Sequence, residues 1–354
     1  MKKFLLPWLI MALTAMALVA VSVSAARTAP AVTAAAPMKA AAPAGEDFSL
    51  AIVTDTGGLN DRGFNQLANQ GRLRAQRELK IQTRVFISRT TADYIPNLRT
   101  AAQGGYDLVI GVGFLMVQPI DTISKAFPNT KFAIVDGNWE DMKSKPKNVR
   151  GLLFREQEAG YLVGYLAAAV DLRTTKKNLL GSVGGLKIPP VDRFIAGYRA
   201  GGLKANPRVK FLNDYSQDFS DQAKCKEIAL TQIEAGAAAI FQVAGGCGLG
   251  ALDAARQEKV YGIGVDNDQS ALGPHILSSA VKKVDVAVFL TAQAAKMQGA
   301  AFKGAFNAIF TVKTGGVGIG KINRRVPADI VRQVRDVQRK IASGVIKGIP
   351  QTVR

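Results

Sequence analysis

Leu50-Ala-Ile-Val-Thr-Asp-Thr-Gly-Gly-Leu-Asn-Asp-Arg-Gly-Phe-Asn-Gln66 carries a short apolar run straight into a glycine-rich polar loop and out into a helix-forming segment. Residues 50–53 read as a buried strand, and Gly57-Gly58 permit a sharp turn. Phe64 and Asn65 then offer one flat apolar face and one amide that can both donate and accept hydrogen bonds. A loop of this kind suits a small planar solute. An ordinary strand-to-helix turn with a well-capped helix accounts for the same residues, so the rest of the chain has to decide.

Outward from this unit the alternation repeats. Strand-like runs at 48–53, 82–87, 108–111 and 132–135 alternate with helix-like segments at 64–79, 94–103, 117–127 and 156–170. The series continues with strands at 178–183, 209–212, 238–243 and 261–265, and helices at 190–205, 221–235 and 248–259. Short apolar strands separated by amphipathic helices imply an α/β fold with doubly wound parallel sheets. One sheet would need too many strands. The polar, proline-containing stretch 138–155 therefore reads as a crossing into a second lobe.

Composition sets the outer bounds. With 354 residues, 48% of them hydrophobic, the chain can bury a sizeable core and has the length of about two domains. Residues 1–26 read as a signal peptide, with Lys2-Lys3, an apolar stretch and small residues before a cleavage point, and 27–46 as a disordered Ala/Pro-rich tether. No cysteine in that leader could carry a lipid anchor, so a soluble periplasmic or secreted protein is expected. The formal charge of +19 raises nucleic acid as a partner, but the basic residues are scattered and make no recognition motif. A basic solvated surface, no nucleic-acid partner and a monomer are expected. The only cysteines, Cys225 and Cys247, fall on one edge of a strand–helix layer, which predicts a disulfide in an oxidising compartment. With one histidine and no CxxC, neither a metal site nor a cofactor is expected.

Ligands of open α/β sheets collect where strands end, and the strand-end residues form a consistent set. Asp55, Gly111-Val-Gly-Phe114, Asp136, Gly184-Gly185, Ala244-Gly-Gly-Cys-Gly248 and Asp266 are small, acidic or aromatic. Glycines let a ligand approach the backbone, and separated aspartates accept from hydroxyl groups. Phe64 and Phe241 could sandwich a flat ring, although Phe241, inside an apolar run, serves as core just as readily. No glycine segment has the spacing of a phosphate or dinucleotide loop, and no nucleophile–base pair or paired-carboxylate arrangement marks an enzyme.

Thr54-Asp-Thr-Gly-Gly-Leu-Asn-Asp-Arg-Gly-Phe-Asn-Gln66, Asp107-Leu-Val-Ile-Gly-Val-Gly-Phe114, Phe154-Arg-Glu-Gln-Glu-Ala-Gly-Tyr-Leu-Val-Gly164, Phe241-Gln-Val-Ala-Gly-Gly246, Gly264-Val-Asp-Asn-Asp-Gln269 and Ser279-Ala-Val-Lys282 together resemble the basic membrane protein family, whose members are substrate-binding proteins of ABC importers and include purine nucleoside receptors. The resemblance implies a type I periplasmic-binding-protein fold with three interdomain crossings, a first lobe of 47–154 plus 276–303, and a second of 155–275 plus 304–354. It implies a nucleoside ligand and an ABC permease in the membrane as partners, and no catalysis. Asp55 and Asn65 would meet the base and Phe64 would stack on it. Asp136, Asp266 and Lys282 would surround the ribose, with Phe241 and Gly245 completing the site. A free sugar or another small hydroxylated or heteroaromatic solute, or a solute-sensing role, would suit the same fold.

Overall fold

The computed structural model describes residues 48–353, so the expected leader and tether lie outside the described residues. Strands β1 (Ser49–Val53), β2 (Gln82–Phe86), β3 (Leu108–Val112), β4 (Lys131–Val135) and β5 (Val149–Phe154) alternate through β4 with helices α1 (Phe64–Leu79), α2 (Tyr94–Gln103) and α3 (Val117–Ala126). The chain then crosses into α4 (Glu156–Arg173), β6 (Leu179–Gly184), α5 (Pro189–Ala205), β7 (Lys210–Tyr215), α6 (Gln222–Glu234), β8 (Ala239–Val243), α7 (Gly248–Gln257), β9 (Tyr261–Asp266) and β10 (Ile276–Lys282). It returns through α8 (Val284–Gln298) and β11 (Phe306–Phe310), and ends with β12 (Val317–Ile319) and α9 (Ala328–Ala342).

Two six-stranded sheets result, ordered β11-β5-β4-β3-β1-β2 and β12-β10-β9-β8-β6-β7. Every pairing is parallel except that of β10 with β12. The central strands β1, β3 and β8 are buried along their whole length, as parallel strands covered by helices on both faces must be.

Two expectations need correction, for one reason. Residues 138–155 are not simply a crossing, because β5 occupies 149–154 and pairs with β4. Residues 276–282 do not join the first lobe: β10 pairs with β9 in the second sheet, and it is β11, at 306–310, that returns to the first sheet beside β5. In both lobes the fifth strand is reached through a loop with only a short 3₁₀ turn, at Trp139–Asp141 and Ser270–Leu272. The strand–helix rhythm that exposes the other strands is missing there. The crossings therefore fall at Arg155, Lys283 and Thr311.

Helices α4 and α5 pack backbone to backbone. A Cβ on Gly160 or Gly164 would run into the carbonyls of Phe194 and Tyr198, and one on Gly197 or Gly201 into those of Gln157 and Tyr161. Glycine at these four positions is what lets the helices approach so closely. The contact fixes the start of α4, next to the first crossing, against the first turns of α5.

Candidate functional site

Residues from both lobes line a cavity at the carboxyl ends of the strands. The first lobe's share begins with the loop that follows β1. Asp55 donates its backbone N–H to Asn65 Oδ1 (2.9 Å), and its carboxylate accepts from the N–H of Thr56 (2.7 Å) and from the Tyr94 hydroxyl. Asp61 holds the end of this loop, its carboxylate accepting from the N–H groups of Gly63, Asn65 and Gln66 at 3.0, 2.7 and 3.1 Å. That carboxylate serves as the cap of α1, so Phe64 and Asn65 stand in the first helical turn with their side chains on the cavity wall. Asn65 Oδ1 is taken by Asp55, and the amide group of the same side chain lies against the Asp61 carboxylate at the cavity wall.

Burial pushes both Asp55 and Asp61 above the usual carboxylate value, and for Asp55 the Tyr94 hydroxyl opposes the shift without cancelling it. Next to Asp55, Gly113 follows β3 at φ +119, and a Cβ there would collide with the Asp55 carboxylate. The glycine is required by both conformation and space.

Lys282, the last residue of β10, is 1% exposed. Its Nζ lies 2.6 Å from Asp136 Oδ2 and 3.0 Å from Glu156 Oε1, and above the rings of Phe64 and Phe154 at 5.1 and 4.9 Å. Burial alone would push the ammonium down. Asp136, Glu156 and Asp266 outweigh it and hold Lys282 above the ordinary lysine value, so it stays charged. Asp266 is pushed up to about 7 by burial, against the pull of Lys282 and with added repulsion from Asp136, Asp61 and Glu156. Burial thereby brings the titration of this carboxyl into the neutral range.

The sequence-predicted residues mostly come together: Asp55, Phe64, Asn65, Asp136, Gly245, Asp266 and Lys282 all line the cavity. Phe241 does not. It is fully buried behind the wall, 5.0 Å from the Tyr198 ring centroid and 6.3 Å from that of Phe194, because its place in the middle of β8 turns it onto α5. The second lobe's aromatics at the cavity are instead Phe194 and Phe219. Phe219 lies in the polar loop before α6, where no apolar pattern signals it; it packs over Gly185, and its carbonyl accepts from the N–H of Cys247 at 3.0 Å. Asp61 and Glu156 were also not selected from sequence. The Asp61 position, two residues before the helix's first flanking residue, was the available signal.

Cys225 and Cys247 are bonded, with Cα atoms 5.6 Å apart, tying α6 to the start of α7 beneath the Gly245-Gly246 turn. The lobes also touch outside the cavity lining, where Gln269 Nε2 donates to the Arg62 carbonyl at 3.4 Å. Among the described residues no group of His, Cys, Asp and Glu is arranged to hold a metal ion, and no helix is long and apolar enough to cross a membrane.

Comparison with known proteins agrees with this geometry. The family model described as ABC transporter substrate-binding protein PnrA-like (Bmp) matches residues 48–351. The chain is 34% identical to a CD4+ T-cell-stimulating antigen of Listeria monocytogenes, over 85% of its own length and 88% of the relative's. It is 33% identical, over the same shares, to an ABC transporter nucleoside-binding protein of Lactococcus lactis. Among solved structures it is similar to an ABC transporter solute-binding protein of Aeropyrum pernix, with a TM-score of 0.77 and 27% identity, covering 86% of this chain and 94% of the other.

Proposed function

The chain belongs to the Bmp family of PnrA-like ABC transporter substrate-binding proteins, and from that premise we propose that it captures a purine nucleoside outside the cytoplasm and presents it to an ABC importer. The observation that carries this reading is the meeting, in one interlobe cavity, of aromatic faces from both lobes with a buried lysine–carboxylate cluster. Phe64 from the first lobe and Phe219 from the second supply apolar planes for a base, a contact worth roughly 0.5–1.5 kcal/mol per aromatic pair beyond area burial. The Asp55 carboxylate accepts from ring or exocyclic N–H groups, and Asn65 Nδ2 donates to a ring nitrogen or carbonyl oxygen. Asp136 and Asp266 accept from ribose hydroxyls while Lys282 donates to them. A relative named as nucleoside-binding supports the same ligand class.

A cavity built from both lobes ties ligand occupancy to lobe closure, and the closed form is what a permease would recognise. Nothing in the cavity offers an activated nucleophile, so binding without turnover is the expected chemistry. The test is a calorimetric panel of purine and pyrimidine nucleosides, free bases, free sugars and nucleoside 5′-monophosphates. Binding of purine nucleosides ahead of every other class is expected. A sugar that bound as well as any nucleoside would give the aromatics no role and overturn the proposal, and release of free base would make the protein an enzyme.

A further inference from the structure

Glu156 is a fully buried carboxylate that does not line the cavity. It opens α4, one residue past the first crossing, and its partner Lys282 closes β10, one residue before the second. Glu156 Oε1 sits 3.0 Å from Lys282 Nζ, and Oε2 sits 3.5 Å from Arg193 on α5. Lys282 reaches on to Asp136 of the first lobe at 2.6 Å. A chain of alternating charges thus runs Arg193, Glu156, Lys282, Asp136, from the second lobe through two crossings into the cavity. The third crossing is tied to the same turn. Arg155 donates its N–H to the Phe310 carbonyl at 2.9 Å, and the Glu158 carboxylate accepts from the N–H of Val312 at 2.7 Å.

A lysine ammonium is a point charge on a flexible four-carbon stem, so a single partner does not fix where it points. Asp136 pulls Lys282 toward the first lobe, and Glu156 holds it from behind. The glycine-mediated contact of α4 with α5 keeps Glu156 and Arg193 in place. We propose that Glu156 is a positioning residue for ligand recognition, holding the Lys282 ammonium at the cavity wall so that it can donate to a solute hydroxyl while remaining paired with Asp136. The inference rests on the nucleoside reading for its choice of ligand. The charged groups around Lys282 are Asp136, Glu156 and Asp266, with Arg193 acting through Glu156.

The experiment uses the full chain and four proteins: wild type, Glu156→Gln, Lys282→Met and the double variant, each titrated with inosine and with 2′-deoxyinosine. Glu156→Gln keeps shape and removes charge. It is expected to weaken inosine binding about tenfold, to narrow the preference for inosine over 2′-deoxyinosine, and to have no further effect once Lys282 is Met. An equal loss in both lysine backgrounds, or an unchanged inosine to 2′-deoxyinosine ratio, would overturn the proposal. Failure of the wild type to bind any nucleoside would defeat the functional reading instead, and a ligand-free arm then still tests Glu156. In nitrogen-15-lysine NMR at neutral pH the Lys282 ammonium signal is expected to shift and to exchange its protons faster with water in Glu156→Gln than in wild type, and an unchanged signal overturns the inference. If Glu156→Gln does not fold, Glu156→Asp, which keeps the charge and withdraws it by one methylene, carries the two ligand titrations: a smaller loss of inosine affinity that vanishes once Lys282 is Met is expected, and a loss equal in both lysine backgrounds overturns the proposal.

Discussion

The two lobes repeat one topology, and the ends of their fifth strands set the charge of the cavity differently. Leaving aside the strand contributed last, the first sheet runs β2-β1-β3-β4-β5 and the second β7-β6-β8-β9-β10. Asp136 follows the fourth strand of the first lobe at φ +66, and Asp266 ends the fourth strand of the second at φ +62, a left-handed conformation that aspartate tolerates better than most residues. The fifth strands end differently, in Phe154 and in Lys282. That single cation pairs with Asp136 at 2.6 Å and leaves Asp266 with burial as its dominant influence. Equivalent positions on a duplicated scaffold thereby acquire different partners. The scaffold supplies carboxylates from both sides, and one residue decides which of them has a cation in hydrogen-bond reach.

Removing that residue is the most severe way to break the comparison. Lys282→Met leaves Asp136 and Glu156 buried without their shared cation, and breaking a buried pair from one side costs about 3–5 kcal/mol. Urea denaturation should show a loss of that size, and calorimetry a fall in nucleoside affinity of about 100-fold or more, as for a lost charged donor. A variant with wild-type stability and affinity would mean that the asymmetry between the lobes has no functional weight.

The aromatic residues separate core from cavity within the second lobe. Phe241→Ala should cost about 3–5 kcal/mol of stability and leave the affinity of the folded fraction nearly intact. Phe219→Ala should do the reverse, with a small stability change and roughly tenfold weaker nucleoside binding, in line with the energy of an aromatic pair. Both variants are checked by pairing denaturation curves with titrations. A loss of affinity in Phe241→Ala alone would restore Phe241 as the stacking face.

The disulfide sharpens the contrast between lobes, because the chain's only two cysteines both lie in the second. It closes a loop of 22 residues beneath the cavity turn, for which the chain-entropy model gives roughly 3 kcal/mol. Reduction should lower the melting temperature of the wild type and leave a Cys225→Ser/Cys247→Ser double variant unaffected by reductant.

The limits of sequence reading follow from the same architecture. Strands flanked by helices were legible because burial on both faces gives a continuous apolar run between amphipathic segments, and α1 and α2 fall at the predicted 64–79 and 94–103. The fifth strands were misplaced because no helix precedes them. The acceptors at strand ends were legible because parallel sheets aim those ends at one cleft. Phe219 was not, since a loop aromatic has no period to betray it, and Phe241 misled because an apolar strand presents alternate residues to opposite layers. Glu156 opens a helix whose first turns are buried all round, so neither exposure nor amphipathicity marked it as unusual.

Asp266 provides the finest test. Its native pKa of about 7 exceeds the 3.8 of an ordinary aspartate. Below about pH 4 the folded and unfolded chains both hold the proton, and the stabilisation it brings is fully present. Between about pH 4 and 7 the unfolded chain releases the proton while the native site keeps it, so stability falls as pH rises, by up to about 1.4 kcal/mol per pH unit for one proton. Asp55, Asp61 and Glu156 are shifted in the same direction and add to the slope, whereas Lys282, raised above an already high value, contributes a constant across this window. Asp266→Asn should remove one proton's share of the slope in denaturation curves taken at several pH values. If ribose hydroxyls donate to the ionised Asp266, wild-type affinity should also rise from pH 6 to 8, and the Asn variant should lose that rise. A wild-type affinity flat over this range would place the solute's hydroxyls on Asp136 alone, and the likeness of the two strand ends would then be structural only.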